Sequence, residues 1–524
     1  MPALPQFDYL FAIGTIFAAL DAWNIGANDV ANSWATSVAS QSVTYLQAMV
    51  LASVMEFAGS VGVGARVADT IRTKVVDTSL FDKDPALLML GMVCAVCASS
   101  IYLTFATKIG MPVSTTHSIM GGVIGMGVAA IGADGIQWVG KGSGVGAINS
   151  GVVQVFLAWI IAPGLSAVFA SIIFLITKYG VMLRSNPVRN ALYFVPFYFG
   201  LTACLLTMLL LWKGGGYTIT LTDPEVAGTI VGVGAAFALL IAATLMPWLY
   251  RVVILDDWQL RWYHIPLGLF LIRRGEVPPH PDDAGPTIKD YYEGRMTKEE
   301  LDARKAGERN DIEVVPALTQ PRNPTPQPLS RARKPRKKFV GPKPEGAWYT
   351  GAVLFWYIKW ALLRGIDQEV VHAQSTHDGL ARNLEEVHAH AAHYDNRAEY
   401  MYSFLQVMTA ATASFTHGAN DIANAIGPYA TVFQIWNDGK LPPKGKSEVP
   451  VWILVFGELP ISTTQCITGA TVGVGLCSGT WRTVNWRMVA WIYLGWIITL
   501  PLTGILSGCL MGIIINAPRW GYSG

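Results

Sequence analysis

GANDVANSWATSV, residues 26–38, returns near the other end of the chain as GANDIANAIGPYA, residues 418–430. A second phrase, MPVSTTHSIMGGVIGMG at 111–127, returns as LPISTTQCITGATVGVG at 459–475. Two different motifs recur in the same order, once in each half, so the chain is built on an internal duplication. Both copies of both motifs lie in apolar surroundings. Polar, glycine-interrupted segments at matching positions of two hydrophobic halves are the mark of a membrane protein whose site lies near mid-membrane, where the repeats meet.

Working outward, the composition agrees. Of 524 residues, 52% are apolar or aromatic and only 14% are charged, against about 25% charged in an average soluble protein. Stretches near 8–38, 45–65, 87–107, 151–178, 191–212 and 226–249, then 401–433, 449–477 and 486–515, have the length and apolarity to cross a bilayer, which takes roughly 20 residues. Of these, 8–38 and 401–433 are interrupted by the polar motifs. The first apolar run, Tyr9 to Leu20, lacks a basic leader and a cleavage site, and reads as a membrane segment rather than a signal peptide. The expected fold is an all-α integral membrane protein: a polytopic helical bundle with inverted repeats and re-entrant or broken helices. Its parts are an N-terminal membrane half (1–249), a hydrophilic cytoplasmic linker (250–400) and a C-terminal membrane half (401–524).

The linker holds most of the charge, including PRNPTPQPLSRARKPRKKFVGPKP, in which six of the eight residues Arg331–Lys338 are basic. Its middle reads as disordered. Basic charge between membrane segments marks the cytoplasmic side and attraction to anionic lipid rather than nucleic acid. Lys178, Arg184, Arg189 and Arg251 fall on the same side. WYTGAVLFWYIKWALL (348–363) reads as an interfacial amphipathic helix. His372, His377, His388, His390 and His393 show no metal-ligand spacing. The six cysteines lie in apolar runs, and the Cys94/Cys97 pair has no second pair beside it, so helix packing is the plain reading. A net charge of +2 points to no acidic partner.

In the first motif Asn28, Asp29 and Asn32, matched by Asn420, Asp421 and Asn424, bring carboxylate and amide oxygens into the membrane. A carboxylate there is expensive and normally faces a cavity or a cation. These hard oxygens suit Na⁺ or a proton; no transition metal and no cofactor is expected. Asp21, Asn24 and His417 add polarity beside the two copies. In the second motif Pro112 and Pro460 suit a first helical turn. Ser114, Thr115 and Thr116, with Ser462, Thr463 and Thr464, then gather hydroxyls and free N–H groups at a helix N-terminus, a ready oxyanion site. Together the motifs suit an anion carried with a cation. Phosphate retains an acidic proton that a buried carboxylate accepts, and sulfate does not.

These residues resemble the inorganic phosphate transporter (PiT) family, most of all fungal-type sodium/phosphate symporters of the plasma membrane. The resemblance implies phosphate held by the two Ser-Thr-Thr segments, Na⁺ as the coupling ion at Asp29 and Asp421, and a functional role for Glu56 in VMEFAGS. It implies a multi-pass plasma-membrane transporter, not an enzyme, with phosphate, Na⁺ and the lipid bilayer as partners; a homodimer is compatible with it. The chain departs from the pattern in one place. Asp29 and Ser114 are 85 positions apart, but Asp421 and Ser462 only 41. A stretch of about that difference is missing between Gly457 and Leu459, which predicts a shortened second repeat. Competing readings are a proton-coupled phosphate or sulfate permease, and a phosphate sensor or truncated inactive variant. A lipid-phosphate enzyme lacks a nucleophile–base pair in the membrane segments, and a primary pump lacks a P-loop.

Overall fold

The computed structural model describes residues 2–63, 76, 78–139, 151–213, 221–280, 286–288, 290–292, 295–313, 340–363, 384–441 and 462–517. Helices make up the framework: α1 (Asp8–Ala39), α2 (Tyr45–Val63), α3 (Pro85–Lys108), α4 (Thr115–Ile131), α5 (Val152–Thr177), α6 (Pro187–Lys213), α7 (Asp223–Ala243), α8 (Gly351–Leu363), α9 (Asn396–Asp438), α10 (Thr463–Ser478) and α11 (Trp486–Asn516). Among the described residues six helical segments are long and apolar enough to cross a membrane: Pro5–Ala39, Pro85–Lys108, Val152–Met182, Pro187–Leu211, Asp223–Ile254 and Trp486–Asn516. This is a helical membrane protein, as the hydropathy predicts.

The two GAND helices do not break. The 32-residue α1 and the 43-residue α9 remain helical through their polar motifs; the interruption is one of hydropathy, not of backbone. They run antiparallel. Phe11 stacks on Trp436 at 4.1 Å, the Thr15 hydroxyl donates to Tyr429 Oη at 3.1 Å, and the Trp34 indole N–H donates to Ser414 Oγ at 2.6 Å. Residues near the start of α1 thus meet the end of α9, as an inverted repeat requires.

The Ser-Thr-Thr helices are the short ones. α4 has 17 residues, about 25 Å at 1.5 Å per residue, so it is shorter than the ~30 Å hydrocarbon core. Each packs on a long helix from the opposite half, α4 on α11 and α10 on α5. The contact is close enough to require glycine: a Cβ on Gly125 of α4 would overlap the Gly504 carbonyl of α11. Pairing α1 with α9, α4 with α10 and α5 with α11 leaves α2 and α3 of the first repeat with no described counterpart. The interval where one would fall, 442–461, lies outside the described residues, as do Arg66, Arg72, Lys74, Arg331–Lys338, His372 and His377.

In the linker, α8 exposes Phe355 and Ile358 beside exposed Trp348; its apolar residues are spread round the helix rather than gathered on one face, so the expected amphipathic division is not marked. His390 Nδ1 lies 2.7 Å from the Glu386 carbonyl, and the His393 ring packs on Tyr292. The six cysteines are free thiols, with Cys94 and Cys97 buried in the α3 core.

Candidate functional site

The four motifs converge where α1, α9 and the N-termini of α4 and α10 meet. Asp29 is buried on α1 and Asp421 on α9. Asp29 Oδ2 accepts from the Thr115 hydroxyl at 3.1 Å, within its own half. Asp421 Oδ2 accepts from the Thr463 hydroxyl at 3.3 Å, within its own. Other bonds cross between halves. Asn32 Nδ2 donates to Asp29 Oδ1 at 3.0 Å and to Thr464 Oγ1 of the second repeat at 2.8 Å. In the mirrored arrangement, Asn424 Nδ2 lies 3.3 Å from Asp421 Oδ1 and reaches Thr116 Oγ1 of the first repeat at 3.1 Å and Thr115 Oγ1 at 3.2 Å. Thr464 Oγ1 is also 3.2 Å from Asp29 Oδ1 and from the Val113 carbonyl. The two-fold relation read from the sequence is therefore written in hydrogen bonds.

Ser114 caps α4, its hydroxyl accepting from the His117 backbone N–H at 3.4 Å. Ser462 stands at the same position before α10, also buried, without a side-chain cap bond. The two N-termini, each with positive dipole character, thus lie against one another beside two carboxylates. Hydroxyls and first-turn N–H groups are donors for an oxyanion; the carboxylates and amide oxygens are acceptors for a cation.

Asn28 faces elsewhere. Its Nδ2 donates to Thr107 Oγ1 and to the Met111 carbonyl, both at 3.1 Å, and its Oδ1 accepts from the Val113 N–H at 3.1 Å. That carboxamide fastens the 111–114 segment leading into α4 onto α1. Asn420 holds the equivalent place on α9, half-buried; the residues matching 111–113, 459–461, lie outside the described ones.

His417 is the residue the motif reading undervalued. It is buried between three acids: Nε2 lies 2.8 Å from Asp421 Oδ2 and 3.5 Å from Asp29 Oδ2, and Nδ1 lies 3.2 Å from Glu56 Oε1. These are close approaches rather than aligned hydrogen bonds. Asp29, His417 and Asp421 place one ligand atom each within 4.8 Å of one another, the single such group of three among the described residues. The signal was present in the sequence. His417 stands four residues before Asp421, one turn away on the same helix face, where the first repeat has Ile25. Glu56 is brought to it by the α2–α9 contact. A Cβ on Gly418 would overlap the Glu56 carbonyl, and the Ser60 hydroxyl donates to the Gly418 carbonyl at 3.0 Å.

A duplicated helical membrane fold with paired acids and paired hydroxyl-bearing helix ends at its centre defines a membrane transporter. The family model described as "Phosphate transporter family" matches residues 25–459 and 457–507, and the chain belongs to that family. The phosphate-repressible phosphate permease pho-4 of Neurospora crassa is 64% identical over 593 aligned positions, covering 99% of this chain and 100% of that protein. Since this chain has 524 residues, at least 69 of those positions (593 − 524) have no residue in it. The sodium-dependent phosphate transporter 2 of Felis catus is 22% identical, with 91% of this chain and 84% of that protein covered. A solved structure described as the sodium-dependent phosphate transporter shares the fold with a TM-score of 0.58 at 20% identity, covering 97% of this chain and all of the other.

Proposed function

We propose that this chain imports inorganic phosphate across the plasma membrane by symport with Na⁺. The observation that carries the reading is the crossed network: each acid is bonded to a hydroxyl of its own repeat, while Asn32 and Asn424 each reach a Ser-Thr-Thr threonine of the other repeat. An anion held at the two helix ends and a cation held at the two acids then share the same atoms. Either one alone leaves buried charge uncompensated, which is costly in a low-dielectric interior. Loading both is the favourable state, and that is the physical content of symport. Ser114, Thr115, Thr116, Ser462, Thr463 and Thr464 take the phosphate role. Asp29, Asp421, Asn32 and Asn424 take the cation role, with Glu56 acting through His417. Asn28 and Asn420 enter as residues that position the following motif. The names of the relatives support phosphate as substrate, and those called sodium-dependent support Na⁺.

The reading extends to the short second repeat. The family match divides at 457–459, where the motif spacing places the missing stretch. The three-part division into an N-terminal membrane half, a cytoplasmic linker and a C-terminal membrane half belongs to the same proposal. The test is uptake of radiolabelled phosphate into proteoliposomes with Na⁺ exchanged for choline. It would be run for this chain, for Asp29→Asn and Asp421→Asn, and for a form with the stretch between Gly457 and Leu459 restored from the Neurospora relative. The expected result is Na⁺-dependent uptake lost in both variants. Uptake equal in Na⁺ and choline, or carried by sulfate as well as phosphate, would overturn it. Uptake by the restored form alone would make this chain the inactive variant of the same transporter.

A further inference from the structure

One acid in the membrane has no part in this site. Asp21 lies on α1, wholly buried, with no aligned hydrogen bond to either carboxylate oxygen among the described residues, and the Ser99 hydroxyl of α3 is the donor within its reach. It precedes Asp29 by eight residues, about 12 Å along the helix, so it is not part of the Asp29–His417–Asp421 group. The second repeat has Ala413 at the matching place, so the duplication does not explain it.

Asp21 begins a polar stripe. Asn24 and Asn28 follow at spacings of three and four, hence on one face of α1, and that face meets α3. Asn24 Nδ2 donates to the Ser100 carbonyl at 3.2 Å and to Thr104 Oγ1 at 2.8 Å. Asn28 Nδ2 donates to Thr107 Oγ1. Asp21 itself faces Ser99 of α3, whose hydroxyl is paired with Ser118 of α4 at 2.9 Å. Ser100 Oγ, on the same turn of α3, is buried without a partner. Among titratable groups on the packed helices, Cys97 of α3 is a buried thiol two residues from Ser99. His117 of α4 is turned to Trp159, whose indole N–H it accepts at 3.2 Å. His417 and Asp421 of α9 sit at the level of Asp29.

An ionised carboxylate with no more than one serine hydroxyl to meet it would cost several kcal/mol in such a place, so something neutralises it. Arginine and lysine are absent from this stripe, and the oxygen recorded beside Asp21 is the Ser99 hydroxyl. We propose that Asp21 is a second cation position, holding a monovalent cation of the transport cycle, Na⁺ or H⁺, at the α1–α3 interface and passing it along the Asn24–Asn28 stripe. In the proton case an O–H bond forms on the carboxylate with a proton from solvent and breaks on release to the other side; in the sodium case Na⁺ is bound and released unchanged. The place of this cation in the cycle rests on the transport reading; its binding does not.

The test therefore has an arm that needs no turnover. A cation that binds the folded chain raises its melting temperature by mass action. The purified full chain is melted in choline, in Na⁺ and across pH, beside Asp21→Asn, Asp21→Ser and Asp21→Glu. The expected result is that Asn and Ser lose part of the wild-type gain from Na⁺ (the sodium case) or from acidification (the proton case), and that Glu restores it. In proteoliposomes the same variants lower the Na⁺ Hill slope by about one or flatten the pH profile relative to wild type. Phosphate's own protonation is common to all the proteins and cancels in the comparison. Asn and Ser variants whose melting responds to Na⁺ and to pH as wild type does would overturn the proposal, whether or not the chain transports phosphate.

Discussion

His417→Gln is the substitution for which the structure gives a magnitude. The ring stands between Asp29 and Asp421, whose nearest ligand atoms lie within 4.8 Å. With both acids ionised, two unit charges at that separation repel by about 3.5 kcal/mol at an effective dielectric of 20, roughly a 400-fold bias against bringing them together. In the wild type the imidazole Nε2, 2.8 Å from one carboxylate and 3.5 Å from the other, stands beside the gap within reach of both charges. Glutamine keeps a donor but cannot carry charge. The variant should therefore melt well below wild type in choline and recover most of the loss in Na⁺, because a cation then supplies the missing compensation. Adding Asp421→Asn to His417→Gln removes one of the two charges and should restore stability in choline, a non-additive pair. Melting of the four proteins in choline and in Na⁺ makes the cycle. A single variant that melts like wild type in choline, or a double variant that shows the sum of the two losses, would refute the electrostatic account of this centre.

Other consequences follow from the same geometry. Thr464→Val keeps shape but removes the hydroxyl that Asn32 reaches from the other repeat and that lies on Asp29. Hydrogen bonds to charged groups contribute about 1.5–3 kcal/mol, so the KM for phosphate should rise roughly 10- to 150-fold, with Thr464→Ser close to wild type in uptake assays. Gly418→Ala puts a methyl group into the Glu56 backbone. Overpacking costs about 1–3 kcal/mol even between yielding side chains, so the α2–α9 contact should open and the melting temperature fall in every buffer, with no rescue by Na⁺. Asn28→Leu frees the 111–114 segment before α4 from two hydrogen bonds and Thr107 of α3 from a third. It should reduce maximal uptake while leaving the Na⁺ dependence of the remainder unchanged, which separates a positioning role from a cation ligand.

Much of this was legible in the sequence because the duplication is. Recurrence of two motifs in order announces the repeat, and the antiparallel meeting of Phe11 with Trp436 and of Trp34 with Ser414 is its geometric form. The chemistry of the two classes of motif, acid with amide and hydroxyl with helix end, also follows from residue type. Three things did not follow. Helicity through GAND was masked by polarity, since hydropathy falls at Asn28 and Asp29 while the helical bonds of α1 continue. The fate of Asn28 was set by the 111–114 segment, distant in sequence, and the i, i+4 spacing with Asn32 could not show that the two amides serve different neighbours. The centrality of His417 depends on α2 delivering Glu56 and on α1 delivering Asp29, tertiary facts that a motif containing Asp421 alone does not hold.

The account rests on phosphate and cation sharing one network, and that is a statement about coupled fluxes. Proteoliposomes containing this chain, or the form with the stretch restored near Gly457 if only that form is active, would be loaded with equal Na⁺ on both sides. A phosphate gradient would then be imposed, and movement of labelled Na⁺ followed. The account predicts that phosphate entering down its gradient drives Na⁺ inward against a gradient that grows as it accumulates, and that Asp29→Asn abolishes this. Phosphate entry with no accompanying Na⁺ accumulation would contradict it.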